Sequence, residues 1–224
     1  MAAILPPGVL HYGMQLPIQS QSKLYAEDWE ETAGPDDLAA VAQACDRGGF
    51  AYIAVCDHTA IPRSHAPMMG TEWWDTMTTL GWLAGITSNV RLVSHVAVLA
   101  YRHPMMTAKA FATLDVISKG RAIVTYEGKR YSVDDMGQKP RPVQSPRPPI
   151  WIGGSAGAAL KRVAKYADGW LPQGSPRETF PQQVEELRRL REEYGRGDEP
   201  IDVGAITEML YVGTPDREVG KHTL

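Results

Sequence analysis

The chain has 224 residues, of which 43% are hydrophobic, with a formal net charge of −3 and a pI of about 6.1. This length suffices for one large core, and the scattered charges of both signs argue against a nucleic-acid partner. No apolar run approaches the roughly 20 residues of a membrane span, and residues 1–7 lack a secretory signal, so we expect a cytoplasmic protein without membrane contact.

Strand-like and helix-like patterns alternate along the chain, which predicts parallel strands covered by helices. The first helix is bounded by Gly34-Pro35 and Gly48-Gly49, which are typical start and stop signals. Further helices are predicted at residues 71–88, 104–118, 158–167 and 181–194. Seven strands are predicted, at residues 11–18, 52–56, 91–99, 121–125, 150–152, 170–171 and 203–212.

Seven such units in series predict an α/β fold of the (β/α)₈ TIM-barrel type. No Gly-x-Gly-x-x-Gly turn follows the first strand, as a dinucleotide-binding sheet would require. Without a repeat or a low-complexity linker, one domain over residues 1–224 is the simplest organisation. Cys45 and Cys56 fall on apolar patterns, so we expect buried free thiols and no disulfide.

Residues 148–155, Pro-Pro-Ile-Trp-Ile-Gly-Gly-Ser, form a buried strand that runs through a glycine pair into a helix. Gly153 and Gly154 allow backbone N–H groups to approach an anion at a helix start, so the segment fits a phosphate-binding turn. A plain tight turn is the equally open alternative. Along the helix, Lys161, Arg162 and Lys165 fall opposite the apolar stripe and are expected to face solvent.

A barrel carries its chemistry at the carboxyl ends of its strands. The polar groups there are residues 15–19, Asp57-His58, Ser94-His95, Gly153-Gly154-Ser155 and residues 173–174. Each has a structural explanation of its own: Asp57-His58 as a hydrogen-bonded loop pair, and His95 as a core histidine. No metal site is expected, because no His-x-His or His-x-x-x-His spacing occurs.

Eight segments taken together resemble one known family and occur in its order. They are residues 13–17, 49–58, 89–96, 101–104, 110–121, 139–144, 149–154 and 167–170. In these segments the chain resembles the luciferase-like monooxygenases, and most closely their branch of oxidoreductases dependent on the deazaflavin coenzyme F420. The resemblance favours the phosphate-binding interpretation of the glycine pair.

The resemblance also implies roles for particular residues. Asp57, His58 and His95 form the expected catalytic set, with Asp57 and His58 at the deazaflavin ring. The expected cofactor-binding residues are Ser94, Val96, Gly153, Gly154 and Ser155. A cis peptide bond between His95 and Val96 is expected where the third strand bends behind the ring. Trp73, Trp74 and Tyr101 are expected to shape the substrate pocket, although Trp74 fits the core equally well. The acidic coenzyme tail would be assisted by Arg63, Arg102, Lys129 or Arg130, for which solvated surface charges are the alternative.

The implied activity is hydride transfer between carbon-5 of F420 and a small organic substrate. An FMN-dependent monooxygenase on the same scaffold is the alternative enzyme, and a cofactor-binding protein without catalysis is the alternative of another class. A homodimer is allowed by the sequence but not required.

Two departures from the family pattern stand out. After Val124 the family continues with a Gly-Val-Gly-x-Gly segment and another helix, which this chain lacks, and the region of the eighth strand is missing after residue 213. The segment missing after Val124 belongs to the rim of the active site in this family. In some relatives this rim supplies the carboxylate that exchanges a proton with the substrate, so no residue here is assigned this role. We expect that the given chain omits segments of the full polypeptide. A true truncation is the less favoured alternative.

Overall fold

The computed structural model describes residues 4–20, 22, 25–125, 139–172 and 178–205. Seven parallel strands lie in chain order across one sheet. They are β1 (Gly13–Gln15), β2 (Tyr52–Val55), β3 (Arg91–Ser94), β4 (Ala122–Thr125), β5 (Ile150–Gly153), β6 (Gly169–Leu171) and β7 (Asp202–Val203). The helices are α1 (Pro35–Arg47), α2 (Ala66–Met69), α3 (Thr76–Ile86), α4 (Pro104–Ile117), α5 (Gly157–Tyr166) and α6 (Phe180–Glu193).

This order of strands and helices confirms the predicted barrel-type α/β fold. Among the described residues, β1 and β7 are the two edges of the sheet. Most of the predicted strand at 203–212 lies outside the described residues, as do residues 173–174 and the stretch that follows Thr125.

Two strands are shorter than predicted, because backbone N–H groups near their ends find side-chain acceptors. The N–H of Ile18 donates to the carboxylate of Glu30 at 2.7 Å, and the ladder with β2 ends at Leu16. Likewise, β3 ends at Ser94, and the N–H of Val98 donates to the carboxylate of Asp57 at 2.8 Å. The predicted strands at 11–18 and 91–99 were therefore too long.

The second long helix begins later than predicted. The Asp75 side chain accepts from the N–H of Thr78 at 2.8 Å and caps α3, so the helix starts at Thr76. Before it, Trp73 pairs with Ser20 in an isolated antiparallel bridge. The short helix α2 was not predicted.

Alternation along the strands separates two apolar layers. In β2, Ile53 and Val55 face α1, α3 and α4, whereas Ala54 belongs to an inner cluster with Val93 and Ile123. Trp151, Leu171, Ile4 and Leu5 pack into that inner cluster. A third cluster lies between β5, β6, α5 and α6. Leu171 of the inner cluster also lines the cavity described below.

Both cysteines are free and buried, which confirms the prediction for Cys45 and Cys56. Among the helices in the described part of the chain, none combines the length and apolar character needed to cross a bilayer.

Candidate active site

A cavity of about 520 Å³ lies at the carboxyl ends of three strands. This volume falls within the range of about 300–1,000 Å³ typical of small-molecule sites. Its walls are His95 and Val96 after β3, Gly153, Gly154 and Ser155 at the end of β5, Ala156, Ala158, Ala159 and Arg162 from α5 and its N-cap, and Leu171 of β6. Five of the eight expected site residues therefore share one cavity.

The turn between β5 and α5 requires glycine at Gly154. Its φ is +84°, in the left-handed region, and a Cβ there would lie 3.2 Å from the Cβ of Ala159. A Cβ on Gly153 would approach Val96 Cγ1 to 3.1 Å, so the turn packs closely against the segment that follows β3. The carbonyl of Ser155 accepts from Gln183 Nε2 at 3.3 Å.

The first turn of α5 borders the cavity. Its N-cap, Ala156, provides no side-chain hydrogen bond to the first-turn N–H groups, which leaves the positive end of the helix dipole available to an anion. Arg162 lines the same cavity and is half-buried, so the expectation that it faces solvent was wrong. Arg162 stands four residues after Ala158, on the side of α5 that borders the cavity.

His95 and Val96 are joined by a cis peptide bond, as expected. His95 is 9% exposed, and its backbone N–H donates to the carbonyl of Val55 at 2.8 Å. Within the described residues, its buried Nε2 atom has no hydrogen-bond partner. Burial lowers the pKa of His95, so the ring is neutral near pH 7. A neutral imidazole with an unpaired nitrogen at a cavity wall suits a polar ligand.

Asp57 and His58 are not among the residues that line this cavity. Asp57 is 4% exposed and forms a bidentate ion pair with Arg102, at 2.7 Å from Nη1 to Oδ2 and 2.8 Å from Nη2 to Oδ1. Arg102 therefore makes an internal ion pair, and its expected contact with a coenzyme tail stays a prediction. His58 packs against Trp73 with ring centroids 4.2 Å apart.

The remaining predicted residues divide between the core, the surface and the undescribed stretches. Ser94 is fully buried, and Trp74 packs against the core between the sheet and α1, α3 and α4. Tyr101 and Arg63 are exposed. Lys129 and Arg130 lie outside the described residues. In the described part of the chain, no group of three His, Cys, Asp or Glu side chains is arranged to hold a metal ion.

Sequence reasoning missed two features of this region. The helical pattern showed that Arg162 is off the apolar stripe, but a polar face near a helix start can border a ligand cavity as well as solvent. The periodicity of this one helix gives no signal that separates the two possibilities. The Arg102–Asp57 pair joins residues 45 apart in the chain, and the sequence carries no local signal for it.

Comparison with known proteins agrees with this architecture. The family model for luciferase-like monooxygenases matches residues 10–125 and 122–222. The 5,10-methylenetetrahydromethanopterin reductase of Methanopyrus kandleri is 25% identical over 77% of this chain, and the match spans 62% of that protein.

Two solved structures show the same fold. The coenzyme F420 dependent tetrahydromethanopterin reductase from Methanopyrus kandleri matches with a TM-score of 0.70 and 23% identity, over 88% of this chain and 65% of that chain. A riboflavin lyase with modified FMN and riboflavin matches with a TM-score of 0.73 and 15% identity, over 88% and 62%. The resemblance seen in the sequence is thus confirmed, and the chain belongs to the luciferase-like monooxygenase family.

Proposed function

We propose that this protein is an oxidoreductase that binds coenzyme F420 and uses it to exchange a hydride with a small organic substrate. The observation that carries the proposal is the cavity bordered by the Gly153–Ser155 turn, the uncapped start of α5 and Arg162. The likeness to an F420 dependent reductase supports the choice of coenzyme. When bound, the deazaflavin supplies the hydride chemistry, and the protein supplies position and electrostatics.

The coenzyme phosphate would be held at the start of α5. Gly153 and Gly154 let the backbone approach it closely, and the first-turn N–H groups of α5 carry no side-chain cap. Arg162 adds a full positive charge beside these N–H groups. Together with Ser155, these groups form a site suited to a phosphate group.

The ring system would lie against the segment after β3. Val96 gives an apolar surface, and Ser94, two residues before it, is fully buried. The unpaired Nε2 of His95 can form a hydrogen bond with a ring heteroatom or carbonyl. On the strength of the family resemblance, we assign Asp57 and His58 to the deazaflavin ring. Both histidines have pKa values lowered by burial, so each can accept a proton near pH 7.

An FMN-dependent monooxygenase is the second candidate, because a riboflavin lyase bound to modified FMN has the same fold. FMN also carries a phosphate, so the start of α5 would serve either cofactor. Reactivity with oxygen separates the two: a reduced flavin reacts readily with oxygen, and a reduced deazaflavin reacts poorly.

Cofactor titration tests the proposal. Quenching of protein fluorescence by F420 and by FMN gives two dissociation constants, and we expect the F420 value to be lower. Arg162→Gln should weaken F420 binding by about tenfold or more, since a charged hydrogen bond contributes roughly 1.5–3 kcal/mol. The neighbouring Lys161→Gln, which removes an exposed charge from the same helix, is the control and should bind as the wild type.

Tighter binding of FMN than of F420 would refute the choice of coenzyme. Unchanged binding by folded Arg162→Gln would place the phosphate elsewhere. A small-molecule substrate, a cytoplasmic location and a homodimer stay predictions.

A further inference from the structure

Both oxygens of the Asp57 carboxylate accept hydrogen bonds from other residues of the protein. A carboxylate has about four acceptor positions. Oδ2 accepts from Arg102 Nη1 and from the N–H of Val98, and Oδ1 accepts from Arg102 Nη2. The Thr76 hydroxyl lies 3.0 Å from Oδ1 and 2.5 Å from the carbonyl of Cys56, so one proton serves both acceptors. Little of this carboxylate is left for a ligand.

Arg102 connects the end of β2 to the N-cap of α3. Its guanidinium holds Asp57 at the end of β2 and also approaches Oδ2 of Asp75, the N-cap of α3, at 3.3 Å. Trp73, two residues before this N-cap, packs its ring against His58. The ion pair and the aromatic contact therefore fix the chain on either side of the His58 ring.

We propose that Arg102 is a positioning residue for His58: it holds the Asp57 carboxylate in place and offsets its charge beside the imidazole, which packs against Trp73. This inference rests on the proposed function, in which His58 belongs to the catalytic set. Asp57 then acts through His58 and not by direct contact with the cofactor.

The charges around His58 support this assignment. Burial lowers the pKa of His58, and the Asp57 carboxylate opposes that effect by favouring the protonated ring. Arg102 and Asp75 complete the ion-pair network, while Glu72 and Arg63 are exposed on the loop that leads to α3. Without the Arg102 guanidinium, the full Asp57 charge would act on the neighbouring imidazole.

Titration of His58 by NMR in the cofactor-free protein tests the inference. Arg102→Gln should raise the pKa of His58 by about 0.5–1 unit, the shift expected for an uncompensated charge near a half-buried group. Arg102→Lys keeps the charge and should stay close to the wild type. Asp57→Asn should lower the pKa, because the charge that favours protonation is gone.

Arg47→Gln is the matched control, since it removes an exposed arginine charge in the last turn of α1 and should leave the His58 titration unchanged. A folded Arg102→Gln variant with an unshifted His58 would overturn the inference. If Arg102→Gln does not fold, Arg102→Met is titrated in its place: a raised His58 pKa supports the inference, and an unchanged one overturns it.

These titrations need no coenzyme, so they are independent of the proposed function. If F420 fails to bind while His58 shifts as expected, the proposed function is wrong but the Arg102–Asp57–His58 coupling holds. If the protein turns over a substrate with F420, the acid limb of its pH profile of kcat/KM should move with the His58 pKa in the Arg102 variants. A merely structural role for Arg102 would lower stability without moving that limb.

Discussion

The indole N–H of Trp170 donates to the carbonyl of Gly154 at 2.9 Å, so a fully buried side chain of β6 fixes the turn that ends β5. Trp170 also stacks on Phe180 of α6, with ring centroids 5.5 Å apart and planes 6° from parallel. The shape of the cavity turn is therefore set by the next β–α unit along the chain.

Trp170→Phe should loosen this turn. The variant keeps an aromatic ring but leaves the Gly154 carbonyl without its donor, which we expect to cost about 1–3 kcal/mol of unfolding free energy. Coenzyme binding should weaken several-fold, measured by fluorescence titration beside urea unfolding. Trp29→Phe, which changes an exposed tryptophan, is the control and should stay within about 0.5 kcal/mol of the wild type. Wild-type coenzyme affinity in Trp170→Phe would show that Trp170 does not set the turn.

Gly154→Val should impair binding more than folding. The left-handed φ and the short approach to Ala159 strain any side chain, at a cost of about 1–2 kcal/mol in stability. Displacement of the backbone N–H groups should reduce the free energy of coenzyme binding by about 1–3 kcal/mol. Gly85→Ala is the control, since its Cβ would meet open space in α3, and it should raise stability by about 0.5–1 kcal/mol. Normal binding by folded Gly154→Val would place the phosphate elsewhere.

Arg121→Met should destabilise the fold without affecting the cavity. The guanidinium donates to the carbonyls of Ala84, Thr87, Val90 and Ser118 and to the Thr87 hydroxyl, which ties the ends of α3 and α4 to the start of β4. Loss of these hydrogen bonds leaves buried carbonyls unpaired. We expect the free energy of unfolding, measured with urea, to fall by about 3 kcal/mol or more.

The control for Arg121→Met is Arg188→Met, which breaks only an exposed 3.4 Å pair with Glu185 on α6 and should cost under about 1 kcal/mol. Equal losses in the two variants would contradict the structural role of Arg121.

His95 should make stability depend on pH. Because burial lowers its pKa in the folded state, the unfolded chain takes up a proton first as the pH falls below about 6.5. Stability is then lost from that pH downward until the folded-state pKa is reached. His95→Gln lacks this loss. As the pH falls from about 6.5 to about 5.5, the unfolding free energy of His95→Gln relative to the wild type should therefore rise by up to about 1.4 kcal/mol. A difference that does not vary with pH would show that folded His95 titrates normally.

Local sequence was enough to predict most elements of this fold. The glycine and proline signals around α1 place its ends at Pro35 and Arg47, as observed, because helix termini depend on residues within one turn. The glycine pair at 153–154 likewise predicted a turn, since the left-handed backbone of Gly154 is a local requirement. Family resemblance, rather than pattern, supplied the cis bond at His95–Val96 and the proposed roles of the site residues.

Only the tertiary structure decided which polar groups meet. Arg162 borders the cavity because the start of α5 and the segment after β3 line the same space. The periodicity of a single helix cannot reveal which neighbour lies beyond its polar face. Arg102 pairs with Asp57 because parallel strands bring their carboxyl ends together, although 45 residues separate the two side chains. Hydrophobic periodicity therefore determined the layers of this protein, whereas the partners of its buried charges depended on long-range packing that no local pattern encodes.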